Sequence, residues 1–228
     1  GSRNMAVYAI VAYDLAGCKD VLGLWMQESE GARHWMGVFD ELRGRGVEDV
    51  LFVSMDGVAG LEDGLRAVFP EAVAQRCAAR LVRNSCKYVP ASDMQAFCLD
   101  ARAFYGAASL EACRAAFADF KEGWARYPGA VAVWERSMAA VEQLFSYGPD
   151  VRRVMYTTNA VESVNASFRK AVRRGCFPDE DAVMKLLYLR VKELYRQWGE
   201  GCHQAGWARV RNQLLCDEGI KARIEKYL

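Results

Sequence analysis

The sequence predicts a mixed α/β fold in which a small sheet is followed by a long helical part. Apolar, β-branched and aromatic runs separated by turn residues occupy the first third of the 228 residues. From about residue 78 onward, apolar residues recur with the 3.6-residue period of helices. With 52% hydrophobic residues the chain is long enough to bury a large core. No apolar run approaches the ~18 residues that predict a membrane span.

The first strands follow from local patterns. Residues 6–13 and 21–26 are rich in β-branched and aromatic residues and flank a turn at 14–17, which predicts an antiparallel hairpin. A helix is predicted to begin at Ser29, and its core side has helical spacing. That side consists of Trp35, Val38, Phe39 and Leu42.

A continuous apolar run at 50–55 predicts a central strand that is buried on both faces and delivers Asp56 to its C-terminal end. A short helix at 61–69 and a short strand at 72–77 follow. The later helices are predicted over 78–88, 92–105, 109–126, 130–146, 158–174, 179–198 and 204–226.

The net charge of +1 hides two basic stretches. Residues 151–177 carry six cations against the single acid Glu162, and residues 71–90 carry four cations against Glu71. Two interpretations stay open, a solvated helix face and a phosphate-binding surface.

The eight cysteines include no Cys-x-x-Cys pair, and we predict buried free thiols rather than disulfides. The two histidines, His34 and His203, are far apart in sequence and show no ligand spacing, which disfavours a zinc site.

Asp56 and Glu162 are the candidate catalytic carboxylates. Asp56 ends the 50–55 strand, where open α/β sheets hold ligands, although an Asp before a Gly is also common in turns. Glu162 lies three residues after Asn159, which is the spacing of a capping box. On a helical wheel Glu162 shares a face with Arg169 and Arg173, which suits a metal that bridges to phosphate.

Several motifs carry a resemblance to the Mutator-type transposases of bacterial insertion sequences, over about Ala6 to Leu228. The most specific is Tyr156-Thr157-Thr158-Asn159-x-x-Glu162-x-x-Asn165. The others are Glu28-x-Glu30 with Trp35, Leu42-Arg43-x-Arg45-Gly46, Asp56-Gly57, Phe69-Pro70, Gln75-x-Cys77, Leu81-x-Arg83-Asn84-Ser85-x-Lys87-Tyr88-Val89, Arg169-Lys170, Phe177-Pro178 and Lys185-Leu186-Leu187-Tyr188-Leu189.

The resemblance implies a ribonuclease-H-like mixed sheet that is interrupted by an all-helical insertion. Residues 6–85 and 151–228 would form the catalytic domain, and 86–150 the insertion. An Asp–Asp–Glu triad would bind Mg²⁺ or Mn²⁺, with Asp56 as the second Asp and Glu162 as the Glu. The expected chemistry is cleavage of a DNA strand by water, followed by attack of the freed 3′-hydroxyl on target DNA.

Two departures from the family pattern affect the predicted activity. The strand that carries the family's first Asp would precede Ala6, and the family's Cys-x-x-His appears here as Cys77-x-x-Arg80. Either this sequence is a piece of a longer protein or the gene itself lacks the segment. The chain is therefore expected to be either an inactive fragment of a transposase or a remnant that binds DNA or a partner.

The resemblance also implies the partner and the location. DNA is the expected partner, self-association as a homodimer is left open, and a cytoplasmic, nucleoid-associated location without membrane contact is expected.

Arg80 is predicted to lie either near the triad or on the solvent-facing side of its helix. The predicted DNA-binding residues are Arg152, Arg153, Asn159, Asn165, Arg169, Lys170, Arg173 and Arg174.

Overall fold

The computed structural model describes residues 6–27, 31–55, 59–156, 159–173, 177–199 and 203–227. As predicted, the chain is mixed α/β with small sheets and a helical C-terminal part. It divides into two compact units. The first comprises Gly1–Glu48, Ala59–Pro70 and Thr158–Arg211, and the second comprises Asp49–Val58, Glu71–Thr157 and Asn212–Leu228.

The first unit begins with the predicted hairpin. Strands β1 (Ala6–Tyr13) and β2 (Lys19–Gln27) pair antiparallel, with a register shift between Ile10 and Val11. Asp14 closes the turn, because its carboxylate accepts two backbone N–H groups at 2.8 and 2.9 Å. Short polar side chains that bond the nearby backbone in this way are typical of tight turns.

Two helices of the first unit approach each other closely. They are α1 (Ala32–Gly44) and α2 (Leu61–Val68). The residue before α2 is Gly60 at φ +75°, and a Cβ built there would lie 2.2 Å from the backbone nitrogen of Ala32. Glycine is therefore required for both the backbone conformation and the space. The core side of α1 is as predicted, with Trp35, Val38, Phe39 and Leu42 buried.

Two longer helices complete the core of the first unit. They are α9 (Asn159–Val172) and α10 (Glu180–Trp198), and α10 is capped by the Asp179 side chain, which accepts from the Ala182 N–H at 2.8 Å. Both helices contact each other and the hairpin. The buried residues of this core are Val21, Val164, Phe168, Leu187, Val191 and Leu194.

In the second unit, β3 (Phe52–Met55) and β4 (Val73–Arg76) pair in parallel. The prediction that the 50–55 run is buried on both faces is wrong, because Ser54 is exposed and Phe52 is only half-buried. Among the described residues β3 pairs with β4 alone, so it is an edge strand there. Part of the apolar run is covered by Tyr147, whose ring packs edge-on against the ring of Phe52, with the ring centroids 4.9 Å apart.

A helical core forms most of the second unit. Phe97, Phe104 and Trp134 are fully buried within it. The indole N–H of Trp134 donates to the hydroxyl of Ser85 at 3.1 Å, so the buried polar atom of the tryptophan is satisfied. The domain boundaries predicted at 86 and 150 stay a prediction. The helices are α3 (Ala78–Cys86), α4 (Met94–Tyr105), α5 (Leu110–Gly123), α6 (Pro128–Glu135) and α7 (Met138–Gln143).

Three later helices differ from the prediction. Helix α8 (Pro149–Tyr156) was not predicted, and the 204–226 helix is divided into α11 (Trp207–Leu214) and α12 (Glu218–Glu225). Asp217 starts α12, because its side chain accepts from the backbone N–H of Ile220 at 2.9 Å. The predicted 130–146 helix is likewise divided, between α6, α7 and a 3₁₀ turn at Leu144–Ser146.

The described cysteines are free thiols, as predicted, but their burial varies. Cys77 and Cys113 are buried, whereas Cys216 is exposed. Among the described residues, no helix combines the length and the apolar character that crossing a membrane would require.

Candidate active site and nucleic-acid interface

The C-terminal ends of β3 and β4 form the predicted catalytic edge in the second unit. The backbone N–H of Cys77 donates to the carbonyl of Met55 at 3.1 Å, so the segments that leave the two strands start side by side. This is the edge at which parallel sheets hold ligands. Asp56 follows Met55 directly in the chain but lies outside the described residues, and its role stays a prediction.

The neighbouring side chains at this edge are buried. Gln75 is 1% exposed and its amide NH₂ donates to the carbonyl of Arg76 at 3.3 Å, while its amide oxygen has no hydrogen-bond partner among the described atoms. A buried oxygen without a donor is costly, which marks this edge as a place where a polar group would be stabilised. Cys77, which precedes α3, is also buried.

Arg80 lies in the first turn of α3 and is half-buried. Its backbone N–H donates to the carbonyl of Cys77 at 3.0 Å, which places the Cys-x-x-Arg segment at the start of the helix. A guanidinium neither accepts a proton nor ligates a metal, so Arg80 cannot do the chemistry of a histidine. The predicted proximity of Arg80 to Asp56 or Glu162 stays a prediction.

Glu162 belongs to the first unit and lies in the first turn of α9, half-buried. A carboxylate near a helix N-terminus is stabilised by the helix dipole. Further along α9, the side chains of Arg169, Lys170 and Arg173 are exposed. The opposite side carries the buried Val164 and Phe168, so the amphipathic helix predicted from the sequence is confirmed.

The two asparagines of the motif also lie on α9. The helix begins at Asn159, which is exposed, and Asn165 is half-buried. A carboxylate in the first turn of a helix suits both capping and metal binding, the two interpretations of Glu162. Arg174, which was also predicted to contact DNA, lies outside the described residues.

Arg152 does not fit the predicted interface. Its side chain is buried at 6% exposure, donates to the carbonyl of Ala107 at 3.0 Å, and lies over the ring of Phe145 at 4.3 Å. A guanidinium held by backbone carbonyls within a helical core has no surface to offer a phosphate. The structure therefore gives Arg152 a packing role in place of the predicted DNA contact. Arg153 is exposed and forms an ion pair with Asp150 at 3.1 Å.

Tyr156 begins the most specific motif and is anchored in the second unit. Its ring packs edge-on to that of Tyr105 at 5.4 Å. Burial raises the pKa of Tyr156 to about 12, although the charge of Arg152 opposes the shift. The phenol is therefore neutral near pH 7, and its ring packs within the second unit.

The described residues do not by themselves make a metal site. Among them, no group of three His, Cys, Asp or Glu side chains is arranged to hold a metal ion. Asp56 and Glu162, the ligands that the resemblance implies, are carboxylates, and carboxylate oxygen is the kind of donor that Mg²⁺ prefers. The type of donor therefore fits a divalent cation.

The family model described as "Transposase, Mutator family" matches residues 1–201, which is most of the chain. The chain belongs to the Mutator family of transposases.

Curated relatives agree with this assignment to the Mutator family. The chain is 39% identical over 214 residues to a probable transposase for an ISRM3-like insertion sequence element from Sinorhizobium fredii, covering 92% of this chain and 53% of the relative. It is 38% identical, with the same coverage, to the transposase for ISRM3 from Rhizobium meliloti. It is 35% identical to a probable insertion sequence transposase from Corynebacterium diphtheriae, covering 92% of this chain and 67% of the relative. The chain thus spans about half the length of the first two relatives.

One feature that the sequence analysis missed is the outward side of α10, where Tyr188 and Leu189 are exposed at 55% and 63%. The signal was present in the spacing. Leu189 does not share a helical face with the core residues Leu187, Val191 and Leu194, so the periodicity of α10 already indicates that it is exposed.

Proposed function

We propose that this chain is part of the catalytic region of a DNA transposase and that helix α9 places DNA beside Glu162. The observation that carries the proposal is the arrangement of α9 within a Mutator-family chain. A half-buried carboxylate in its first turn precedes three exposed cations, Arg169, Lys170 and Arg173. Cations on one helix side bind the phosphate backbone without reading sequence, so α9 would orient a strand rather than select it.

The proposed reaction is cleavage of a phosphodiester by water and attack of the freed 3′-hydroxyl on a second duplex. Asp56 and Glu162 would provide two carboxylates for Mg²⁺ or Mn²⁺, with a further ligand from outside this chain. A bound divalent cation would stabilise the charge that develops on the phosphate oxygens. This chain's own contribution is to hold the DNA backbone in place through the exposed cations of α9.

The ribonuclease-H-like fold is part of the same proposal. An antiparallel hairpin in the first unit and a parallel strand pair in the second are the two kinds of strand pairing that such a mixed sheet contains. The helical segment α4 to α7 lies between β4 and α9 in the chain, as an inserted helical domain would.

A second candidate is a DNA-binding remnant without catalytic activity. The observation that favours it is Arg80, which stands in the Cys-x-x-His motif where the resemblance expects a histidine. A change from an imidazole to a permanent cation is not expected in a site that still depends on that residue. The two candidates share the DNA-binding surface and differ in strand cleavage.

The shared surface is tested with the double variant Arg169→Ala/Arg173→Ala. Each cation that no longer pairs with a phosphate should flatten the plot of log affinity against log salt by about 0.9 on duplex DNA. We expect the double variant to bind every duplex more weakly, whatever its sequence, in fluorescence anisotropy across a salt series.

A matched control removes the same charge elsewhere. Arg33 on α1 and Arg102 on α4 are exposed, and the variant Arg33→Ala/Arg102→Ala changes the net charge by the same amount. It should leave the salt slope near that of the parent. If the α9 variant binds like the parent at every salt concentration, α9 is not the DNA surface and this part of the proposal is wrong.

A further inference from the structure

Helix α10 carries a second cationic surface, on the side away from its core. Five residues at spacings of 3, 4, 7 and 11 from the first lie within an arc of about 100° on a helix of 3.6 residues per turn. We call this set the α10 outward face. It consists of Lys185, Tyr188, Leu189, Lys192 and Arg196.

The α10 outward face combines positive charge with unusual apolar exposure. Leu189 at 63% and Tyr188 at 55% are among the most exposed large hydrophobic side chains of the described residues. The ammonium of Lys192 lies 5.3 Å from the ring centroid of Tyr188. Glu193, which follows Lys192 in the chain, is paired with Arg190. Among the described residues, three exposed cations, against the single exposed acid Asp181 at the start of the helix, therefore share this side of α10 with an exposed ring and an exposed leucine.

A solvated helix side would explain the cations but not the two large apolar side chains. Single exposed hydrophobic residues are ordinary, but here two stand next to each other in the middle of a row of cations. The exposed side of α9 offers a comparison within the same unit, because its described exposed residues are polar or charged. The two helices thus present surfaces of different chemistry.

We propose that the α10 outward face binds a DNA strand with unpaired bases, with Lys185, Lys192 and Arg196 on the phosphates and Tyr188 stacked on a base. Surfaces that bind single strands combine a cationic track with aromatic side chains on which bases stack, and a neighbouring apolar side chain excludes water from the stacked base. This inference rests on the proposed function in requiring DNA as the partner. It adds that the DNA strand bound to α10 has unpaired bases, whereas the cations of α9 contact only the phosphate backbone of DNA.

A second copy of this chain fits the α10 outward face less well. A two-fold interface sets the same patch of each copy against the other. Lys185, Lys192 and Arg196 would then face a patch on which Asp181, at the start of the helix, is the one exposed acid among the described residues, and three cations against one acid on each copy are repulsive at close range. The polyanionic backbone of DNA is the complementary partner.

The experiment compares binding of the 228-residue chain to a labelled thymidine oligonucleotide and to a labelled duplex of the same length, by fluorescence anisotropy. Tyr188→Ala should weaken oligonucleotide binding roughly tenfold, since one base–aromatic stack is worth about that much. Tyr188→Phe keeps the ring and should bind like the parent. Replacing Lys185, Lys192 and Arg196 with Ala should flatten the salt plot for the oligonucleotide by about 0.7 for each phosphate left without its cation.

A matched control separates a specific contact from general loss of apolar surface. Leu99 on α4 is 61% exposed, close to the value for Leu189. Leu189→Ala should weaken oligonucleotide binding, and Leu99→Ala should not. Circular dichroism and thermal unfolding of each variant report whether the fold is kept, which is expected because all these side chains are exposed.

Three outcomes overturn the inference. The first is oligonucleotide binding that is equal in the parent and in Tyr188→Ala. The second is a parent that binds no oligonucleotide at low salt. The third is a Leu189→Ala variant that changes the association state in sedimentation without changing DNA affinity, which would make this face an interface between copies. None of these changes the duplex experiment on Arg169 and Arg173, so the proposed function stands or falls separately.

Discussion

At the scale of single residues, Arg223 shows how one side chain connects the last helix to the segments that lead into the two parallel strands of the second unit. Its guanidinium makes a two-pronged contact with the carboxylate of Asp49, at 2.7 and 2.9 Å, and also donates to the carbonyls of Val50 and Glu71. Planar forks of this kind are stronger than single hydrogen bonds and are not reproduced by lysine.

The Asp49–Arg223 pair predicts an acid-sensitive contribution to stability. Burial tends to raise the pKa of Asp49, but the hydrogen bonds and charge of Arg223 outweigh burial and leave the pKa below its ordinary value. The contribution is therefore fully present above the unfolded value of about 3.9 and is lost as the pH falls through the lower folded value. We expect Arg223→Lys to reduce the free energy of unfolding by about 2 kcal/mol at neutral pH.

Urea unfolding at neutral pH and at a pH well below the ordinary Asp value of about 4 checks this prediction. The difference between the parent and Arg223→Lys should shrink in acid, where Asp49 becomes protonated. Lys221→Arg on the same helix is the control, because Lys221 is half-exposed and its 3.8 Å pair with Glu225 is loose. A difference of equal size at both pH values would contradict the assignment to Asp49.

At the scale of elements, two glycines of the α1–α2 pair predict opposite effects of the same substitution. Gly60 has φ +75° and no room for a Cβ, whereas Gly37 lies inside α1, exposed, with no atom of the described residues within 4 Å of a Cβ. Gly60→Ala should destabilise the protein by about 1–3 kcal/mol through backbone strain. Gly37→Ala should stabilise it by about 1 kcal/mol, because alanine is the better helix former.

Thermal unfolding of the two glycine variants measures whether their stabilities change in opposite directions, and each variant serves as the control for the other. Equal shifts of Tm in the same direction would mean that the close approach of α1 and α2 is not what fixes glycine at position 60. The result would also test whether the start of α2 is as tightly set as the 2.2 Å distance from the Gly60 Cβ position to Ala32 implies.

The sequence predicted elements well where local pattern decides them. The core side of α1 and the β1–β2 hairpin follow from periodicity and turn residues, and both are confirmed. It failed where distant residues decide. Arg152 is buried because Phe145 and the carbonyl of Ala107 surround it, which no local pattern reveals. The edge position of β3 depends in the same way on which strands pair with it.

For the candidate site, motifs predicted Glu162 at the start of α9, while the partnership of Glu162 with Asp56 stays a prediction.

At the scale of the whole molecule, we predict that this chain alone does not cut DNA. The resemblance provides two of three triad carboxylates, and a cation that lacks a ligand binds weakly. The measurement is nicking of supercoiled plasmid with Mg²⁺ or Mn²⁺, with Glu162→Gln as the control. Cleavage by the parent that disappears in Glu162→Gln would contradict the prediction and would favour the enzyme over the remnant.

The strand pairs described above have a consequence for handling the protein. Among the described residues β1 pairs with β2 alone, and β3 with β4 alone, so each strand has one edge that no described strand covers. Such edges are templates for further strands from other molecules. The eight-residue β1 and the nine-residue β2 are longer than the four-residue β3 and β4, and the hydroxyl of Tyr195 already bonds the backbone of Val21 on β2. Precipitation of the concentrated protein should therefore proceed through β1 as cross-β aggregation, and a lysine introduced at Val7, which is exposed, should slow it.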